Sequence, residues 1–150
     1  MRAIVQRVSK ASVLVNSNVK GEIEKGLLIF LGIEDADKEE DLIWLSGKIA
    51  RLRIFGDDNG AMNKSLIDID GEALIVSQFT LFASTKKGNR PSFKKSGEPK
   101  FANDMYLKFI NDLNLLINKD VQSGEFGANM QVELLNDGPV TISFDSKNRE

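Results

Sequence analysis

Gly26-Leu27-Leu28-Ile29-Phe30-Leu31-Gly32-Ile33 is an unbroken apolar run bounded by glycines. Eight residues are too few to cross a bilayer, and the run lacks the polar alternation of a half-exposed strand, so it reads as a deeply buried β-strand. Upstream, Arg2 to Val15 is rich in Val, Ile and Ser with rough alternation and forms a second strand. Downstream, Asp37 with Glu40 three positions later reads as a capping box, and Leu42, Leu45, Ile49 and Leu52 recur at helical spacing. That predicts an amphipathic helix of about four turns. Asp57-Asp58-Asn59-Gly60 is a turn signal, and Glu72 to Phe82 resumes a strand pattern around Leu74-Ile75-Val76.

The composition then changes. Between Thr85 and Lys100 six cationic residues face one anion, Glu98, and Phe93 is the lone large apolar side chain, which predicts an exposed basic loop. Pro99 suits the first turn of a second helix, whose stripe is Met105, Phe109, Leu113 and Leu116, flanked by Tyr106, Ile110 and Ile117. After Gly124 and Gly127, Met130, Val132 and Leu134 alternate with polar partners, Asn136-Asp137-Gly138-Pro139 follows, and Val140 to Phe144 completes the pattern of a closing hairpin. The expected fold is α+β over a single domain spanning 1–150, an antiparallel or mixed β-sheet or barrel-like sheets with two main helices packed on one side.

What is missing restricts the chemistry. The chain has 150 residues, no His and no Cys. This removes imidazole bases, thiol nucleophiles, disulfides and the usual zinc sites. Carboxylate or lysine acid–base work, a carboxylate-held magnesium ion, backbone N–H groups and help from the substrate remain. A net charge of -2 offers no global attraction to nucleic acid, so any RNA contact must be local. With no apolar run near ~18 residues and no basic-then-apolar leader, the expectation is a soluble cytoplasmic protein with no membrane contact.

Ser77-Gln78-Phe79-Thr80 sets two hydroxyls and one amide at the end of a buried strand, a polar terminus or a site assembled on a rigid element. Thr80 has no evident activating base. Gly138-Pro139 is a turn signal or, in the sharper reading, a cis peptide. Lys86, Lys87, Arg90, Lys94 and Lys95 are either a solvated face or contacts to a phosphate backbone. Asp57, Asp58 and Glu72 are the carboxylates from which a magnesium-dependent hydrolase would draw, although Asp57 to Gly60 lacks the spacing of an EF-hand.

Taken in order, Arg2 to Val8, Ala11-Ser12-Val13, Gly26 to Gly32, Arg53-Ile54-Phe55, Met62-Asn63, Ser77 to Leu81, Lys86-Lys87-Gly88, Arg90-Pro91-Ser92-Phe93, Gly124, Phe126, Met130 and Asn136 to Thr141 resemble the D-aminoacyl-tRNA deacylase family of bacterial and eukaryotic type. The resemblance runs along nearly the whole chain. It departs at Phe82, Ser84 and Ala61, outside the two main motifs. It implies hydrolysis of the ester of D-aminoacyl-tRNA and glycyl-tRNA by a homodimer needing no cofactor and no metal. Ser77, Gln78, Phe79 and Thr80 would form the catalytic segment. Gly138 and Pro139 would enter the partner's pocket through a cis peptide and reject L side chains, with Arg7 holding their orientation. Phe126 and Met130 would line the pocket, and the five loop cations would meet tRNA. A non-catalytic RNA-binding dimer is the alternative reading.

Overall fold

In a computed structural model that describes residues 1–150, the apolar run is strand β3, Gly26–Gly32, at the middle of a mixed sheet. The other elements, in chain order, are β1 (Arg2–Val15), β2 (Asn18–Ile23), α1 (Glu39–Ala50), β4 (Phe55–Gly56), β5 (Met62–Lys64), β6 (Glu72–Ser77), a 3-10 turn (Phe79–Phe82), α2 (Pro99–Ile117), β7 (Gln122–Ser123) and β8 (Gln131–Asp145). The sheet runs β2-β1-β3-β6-β7, with β8 on the other edge of β1, and β4-β5 form a small separate sheet. β3 pairs antiparallel with β1 and parallel with β6.

The uniform hydrophobicity of β3 follows from cover on both faces. Leu27, Ile29 and Leu31 join the larger core, with Leu42, Leu45 and Ile49 of α1 and Met105, Phe109 and Leu113 of α2. Leu28 points the other way, into a second cluster with Val8, Ala11, Val13, Ile23, Leu74 and Val76 that contains no helical residue. Both helices therefore pack on one face, and the curled sheet covers its own opposite face. β1 serves both clusters. Ala3 and Val5 face the helices, and register breaks against β8 around Val8 bring Ala11 and Val13 onto the second side.

Three expectations change in detail. α1 starts at Glu39 and has 12 residues, about three turns, so Leu52 lies beyond it. Its capping carboxylate is Asp41, which accepts the Lys38 N–H at 2.9 Å, while the predicted Asp37 binds the buried Met1 ammonium and the Glu34 N–H. β6 ends at Ser77, and Phe79–Phe82 turns away as a 3-10 segment. Gly32 permits that turn to lie against the end of β3: a Cβ there would meet the Gln78 carbonyl oxygen at 3.0 Å and Leu81 Cβ at 3.1 Å.

The expected closing hairpin is instead a single strand. β8 pairs with β1 from Leu14↔Gln131 to Arg2↔Asp145. Its register steps from Val8↔Asn136 to Gln6↔Thr141, so residues 137–140 bulge opposite Arg7. Asn136 closes the bulge by accepting the Val140 N–H at 3.0 Å and donating to Thr141 Oγ1 at 3.1 Å. A turn-like sequence thus interrupts a strand without reversing it. Pro139 is tolerated because β8 is an edge strand whose outer side needs no ladder donor.

The C-terminal segment is tied back through charge. Lys147 Nζ donates to Asp41 Oδ2 at 2.6 Å, and Ser146 Oγ accepts from the Met1 ammonium at 2.6 Å. Burial alone would raise the Asp41 carboxyl, but hydrogen bonds from Lys147, the Lys38 backbone and Ser146 outweigh it and hold its pKa at about 2, against an ordinary 3.8. A depressed folded-state pKa contributes stability above pH 3.8 that disappears as the pH falls through 2. The shift is worth about 2 kcal/mol. Asp41→Asn should therefore lower the urea midpoint at pH 7 and converge on the parent near pH 2. An equal deficit at both pH values would assign the loss to packing rather than charge.

Candidate active site

The ends of β3 and β6, the 3-10 turn, the first turns of α2 and the 126–130 segment enclose a cavity of about 510 Å³. It brings together five of the residues marked in the sequence: Ser77, Gln78, Phe79, Phe126 and Met130. Apolar walls come from Leu31, Ile33, Val76, Ala102 and Val132. Ser77, Gln78, Ser96 and Asn129 supply the polar side chains of the lining, which includes no Asp, Glu, Lys or Arg.

Gln78 leaves the β6 ladder but stays anchored, donating its N–H to the Leu31 carbonyl at 2.8 Å. Its carboxamide donates to Thr80 Oγ1. Thr80 is half-buried beside the cavity rather than part of its lining, and its hydroxyl meets an amide instead of a base. Phe79 and Thr80 begin the 3-10 turn, where the first N–H groups of a helical segment lack partners within it. Those N–H groups are the donors that such a turn offers to a polar ligand.

The floor is braced from below. Tyr106 on α2 is buried, its hydroxyl donates to the Ile75 carbonyl at 2.9 Å, and its ring lies 5.7 Å from that of Phe126. Burial pushes its phenol up to about 12, so it remains a neutral hydrogen-bond donor at physiological pH. On the other side Gly124 makes room for Met130: a Cβ there would come within 2.5 Å of its sulfur.

The other marked residues lie elsewhere. Lys86, Lys87, Arg90, Lys94 and Lys95 are exposed, and none makes an ion pair. Their loop is tied to the cavity rim by the Ser96 hydroxyl, which donates to the Phe79 carbonyl at 3.0 Å, and by the Gly97 N–H, which donates to the Ile33 carbonyl at 2.8 Å. Gly138 and Pro139 sit exposed on the β8 bulge, joined by a cis peptide. Val132 on the same strand lines the cavity, and six or seven strand residues separate it from them by about 20 Å. Arg7 Nε donates to the Asp137 carbonyl at 2.9 Å and Nη1 to the Ile54 carbonyl, so its guanidinium fills the bulge.

Asp57, Asp58 and Glu72 do not converge. Asp57 accepts from the Asn59 and Ala61 N–H groups and the Asn63 amide, Asp58 pairs with Lys64, and Glu72 accepts the Glu24 N–H on a different sheet. The sequence reading missed Ser96, Gly97, Pro99, Ala102 and 127–129 as lining. A small residue one turn into α2 was the available signal for Ala102, because a bulkier side chain at that position would fill the space.

The chain matches a family model described as D-Tyr-tRNA(Tyr) deacylase over residues 4–145. A D-aminoacyl-tRNA deacylase of Flavobacterium johnsoniae is 59% identical over 150 residues, covering all of both chains. A solved structure described as c-Myc DNA Unwinding Element Binding Protein superposes with a TM-score of 0.90 at 39% identity, covering 97% of this chain and 98% of that one. Another, described as a probable eukaryotic D-amino acid tRNA deacylase, shares the fold at 20% identity with a TM-score of 0.81, covering 95% and 97%. Fold, cavity and matches together define a small α+β hydrolase. The chain belongs to the D-Tyr-tRNA(Tyr) deacylase family.

Gly138 has a φ of +139°, and a Cβ on it would lie 2.8 Å from Val140 Cγ2 and 2.9 Å from Arg7 Nη2. Gly138→Ala should displace the Arg7 guanidinium and destabilise the fold by about 1–3 kcal/mol, read from urea unfolding. A neutral result would mean that the bulge relaxes freely.

Proposed function

We propose that this protein hydrolyses the ester between a D-amino acid and the terminal adenosine of tRNA, releasing the free D-amino acid and tRNA, and that it also clears glycine from mischarged glycyl-tRNA. Family membership supports the reaction class. The observation that carries the mechanism is the cavity lining, which holds amides, hydroxyls and apolar groups but no ionisable side chain. A general base drawn from that lining is therefore absent. An aminoacyl ester is already activated, so holding it in an attack geometry and donating hydrogen bonds to the developing oxyanion supplies the needed stabilisation. The Phe79 and Thr80 N–H groups are the oxyanion donors in this account, and Gln78 positions the adenosine. The ribose 2′-hydroxyl next to the ester assists the attacking water. Water adds to the carbonyl carbon, the carbon–oxygen bond to ribose breaks, and the proton lost by water goes to the departing ribose oxygen.

Selectivity requires a second copy of the chain. Gly138 and Pro139 are too far along β8 to reach their own cavity, yet they project from an exposed edge strand with Leu134 and Leu135 uncovered beside them. Unpaired edges with apolar side chains favour association. In a homodimer the two carbonyls of this pair enter the partner's cavity and leave room at the α-carbon for hydrogen or a D side chain, but not an L side chain. Arg7 fixes their direction. The loop cations face the tRNA backbone, and the site of action is the cytoplasm. No helix is long and apolar enough to cross a membrane.

Incubation with D-tyrosyl-tRNA and L-tyrosyl-tRNA should release tyrosine from the D ester alone, and equal rates or none would sink the proposal. Tight tRNA binding with no cleavage would favour the non-catalytic RNA-binding alternative that the basic rim supports. Thr80→Ala should keep turnover within about tenfold of the parent, since its hydroxyl contacts only an amide. Abolished turnover with intact binding and dimerisation would instead make Thr80 the nucleophile.

A further inference from the structure

The mechanism above uses the Phe79 backbone and leaves its ring unexplained. That ring is 57% exposed at the cavity mouth, although aromatic side chains in this fold are otherwise mostly covered. It is also held in place. The Phe93 ring meets it edge-on, with centroids 5.0 Å apart and planes at 72°, and Ser96 Oγ holds its carbonyl at 3.0 Å. The loop that carries Phe93 is closed by mutual Ser84 and Ser92 backbone bonds of 2.8 and 2.9 Å. Such an arrangement holds an exposed aromatic ring in place instead of letting it fold against the protein.

The same loop carries the five cations that find no carboxylate partner. Arg90, Lys94 and Lys95 bracket Phe93 in the chain. A fixed aromatic face beside unpaired positive charge is the combination that binds single-stranded nucleic acid, with bases stacking and phosphates neutralised. An amino-acid side chain would give those cations nothing to neutralise.

We propose that the Phe79 ring, propped by Phe93, is a stacking platform for the unpaired base that precedes the terminal adenosine, with Arg90, Lys94 and Lys95 neutralising the phosphates of that single-stranded end. This rests on the reading of the substrate as an aminoacyl ester of tRNA. Stacking accepts any base, so the platform positions every tRNA alike and carries no preference among them. Its contribution is to hold the ester in register over the cavity. Phe79 acts through its backbone on the reacting carbonyl and through its ring on the neighbouring nucleotide.

The test compares two substrates, D-tyrosyl-tRNA and D-tyrosyl-adenosine, which ends at the terminal nucleoside and offers the platform nothing. Base–aromatic stacking changes binding roughly five- to 150-fold per base. Phe79→Leu should raise KM for the tRNA ester at least fivefold more than KM for the adenosine ester, Phe93→Leu should do the same to a smaller degree, and Phe79→Trp should restore the parent ratio. Equal KM changes on both substrates would overturn the proposal. So would a change in sedimentation behaviour with Phe79→Leu, which would assign the ring to contact with a second copy. Uncharged tRNA provides a readout that needs no turnover. If the parent cleaves neither ester but Phe79→Leu weakens tRNA binding at least fivefold, the platform stands and the deacylase reading falls.

Discussion

A strand that is apolar at every position must be covered on both faces, and the rest of this structure answers that requirement for β3. One face receives α1 and α2, whose buried stripes meet Leu27, Ile29 and Leu31. The other is covered by the sheet itself, because β1 and β2 curl to bring Val13 and Ile23 over Leu28. Neither cover suffices alone, since leaving one such side chain in water forgoes roughly 1.5–3 kcal/mol. The curl in turn demands a long β1 that changes sides, and the register breaks near Val8 are where it does so. The Gly138-Pro139 bulge lies opposite that same region, so the feature assigned to selectivity grows from the geometry that closes the second core.

The parallel pairing of β3 with β6 fixes where the cavity forms. Their ends lie side by side, with Leu31 opposite Ser77. Gly32 lets the next segment fold back over the strand end without a clash, so the Gln78–Thr80 backbone turns sharply at the edge of a cavity. The neutral lining has a physical benefit in such a place. A charge there would have to be desolvated between Leu31, Val76 and Phe126, which costs several kcal/mol unless it is paired. Amides and backbone N–H groups deliver directed hydrogen bonds without that penalty.

Much of this was legible from residue order. Periodicity marked both helices, and Pro99 marked the start of the second, because local patterns record which face of an element is covered. The hairpin expectation failed on a particular ambiguity. Asn136-Asp137-Gly138-Pro139 has the composition of a chain reversal, but β1 continues past it and supplies pairing on both sides, and long-range pairing leaves no trace in a local turn signal. Glu72 to Phe82 failed similarly: Phe and Thr favour strands, and the end of β6 is set by the space over Gly32, a contact across 46 positions of sequence that propensity cannot see.

The site was legible unevenly for a related reason. Absences are readable at once, so the lack of His and Cys excluded most catalytic strategies before any fold was known. Convergence is not readable, and Ser77, Gln78 and Phe126 are brought to one cavity only by the sheet order. Composition likewise marks the basic loop but not its attachment to the cavity rim through Ser96 and Gly97. That attachment is what changes the meaning of the charges. Cations on a free loop would form a diffuse attractive surface, whereas cations anchored to the mouth of a cavity define an approach direction. In the proposed function a neutral cavity behind a cationic rim separates two tasks: charge would gather and align the polyanion outside, and fixed hydrogen bonds would act on the ester within.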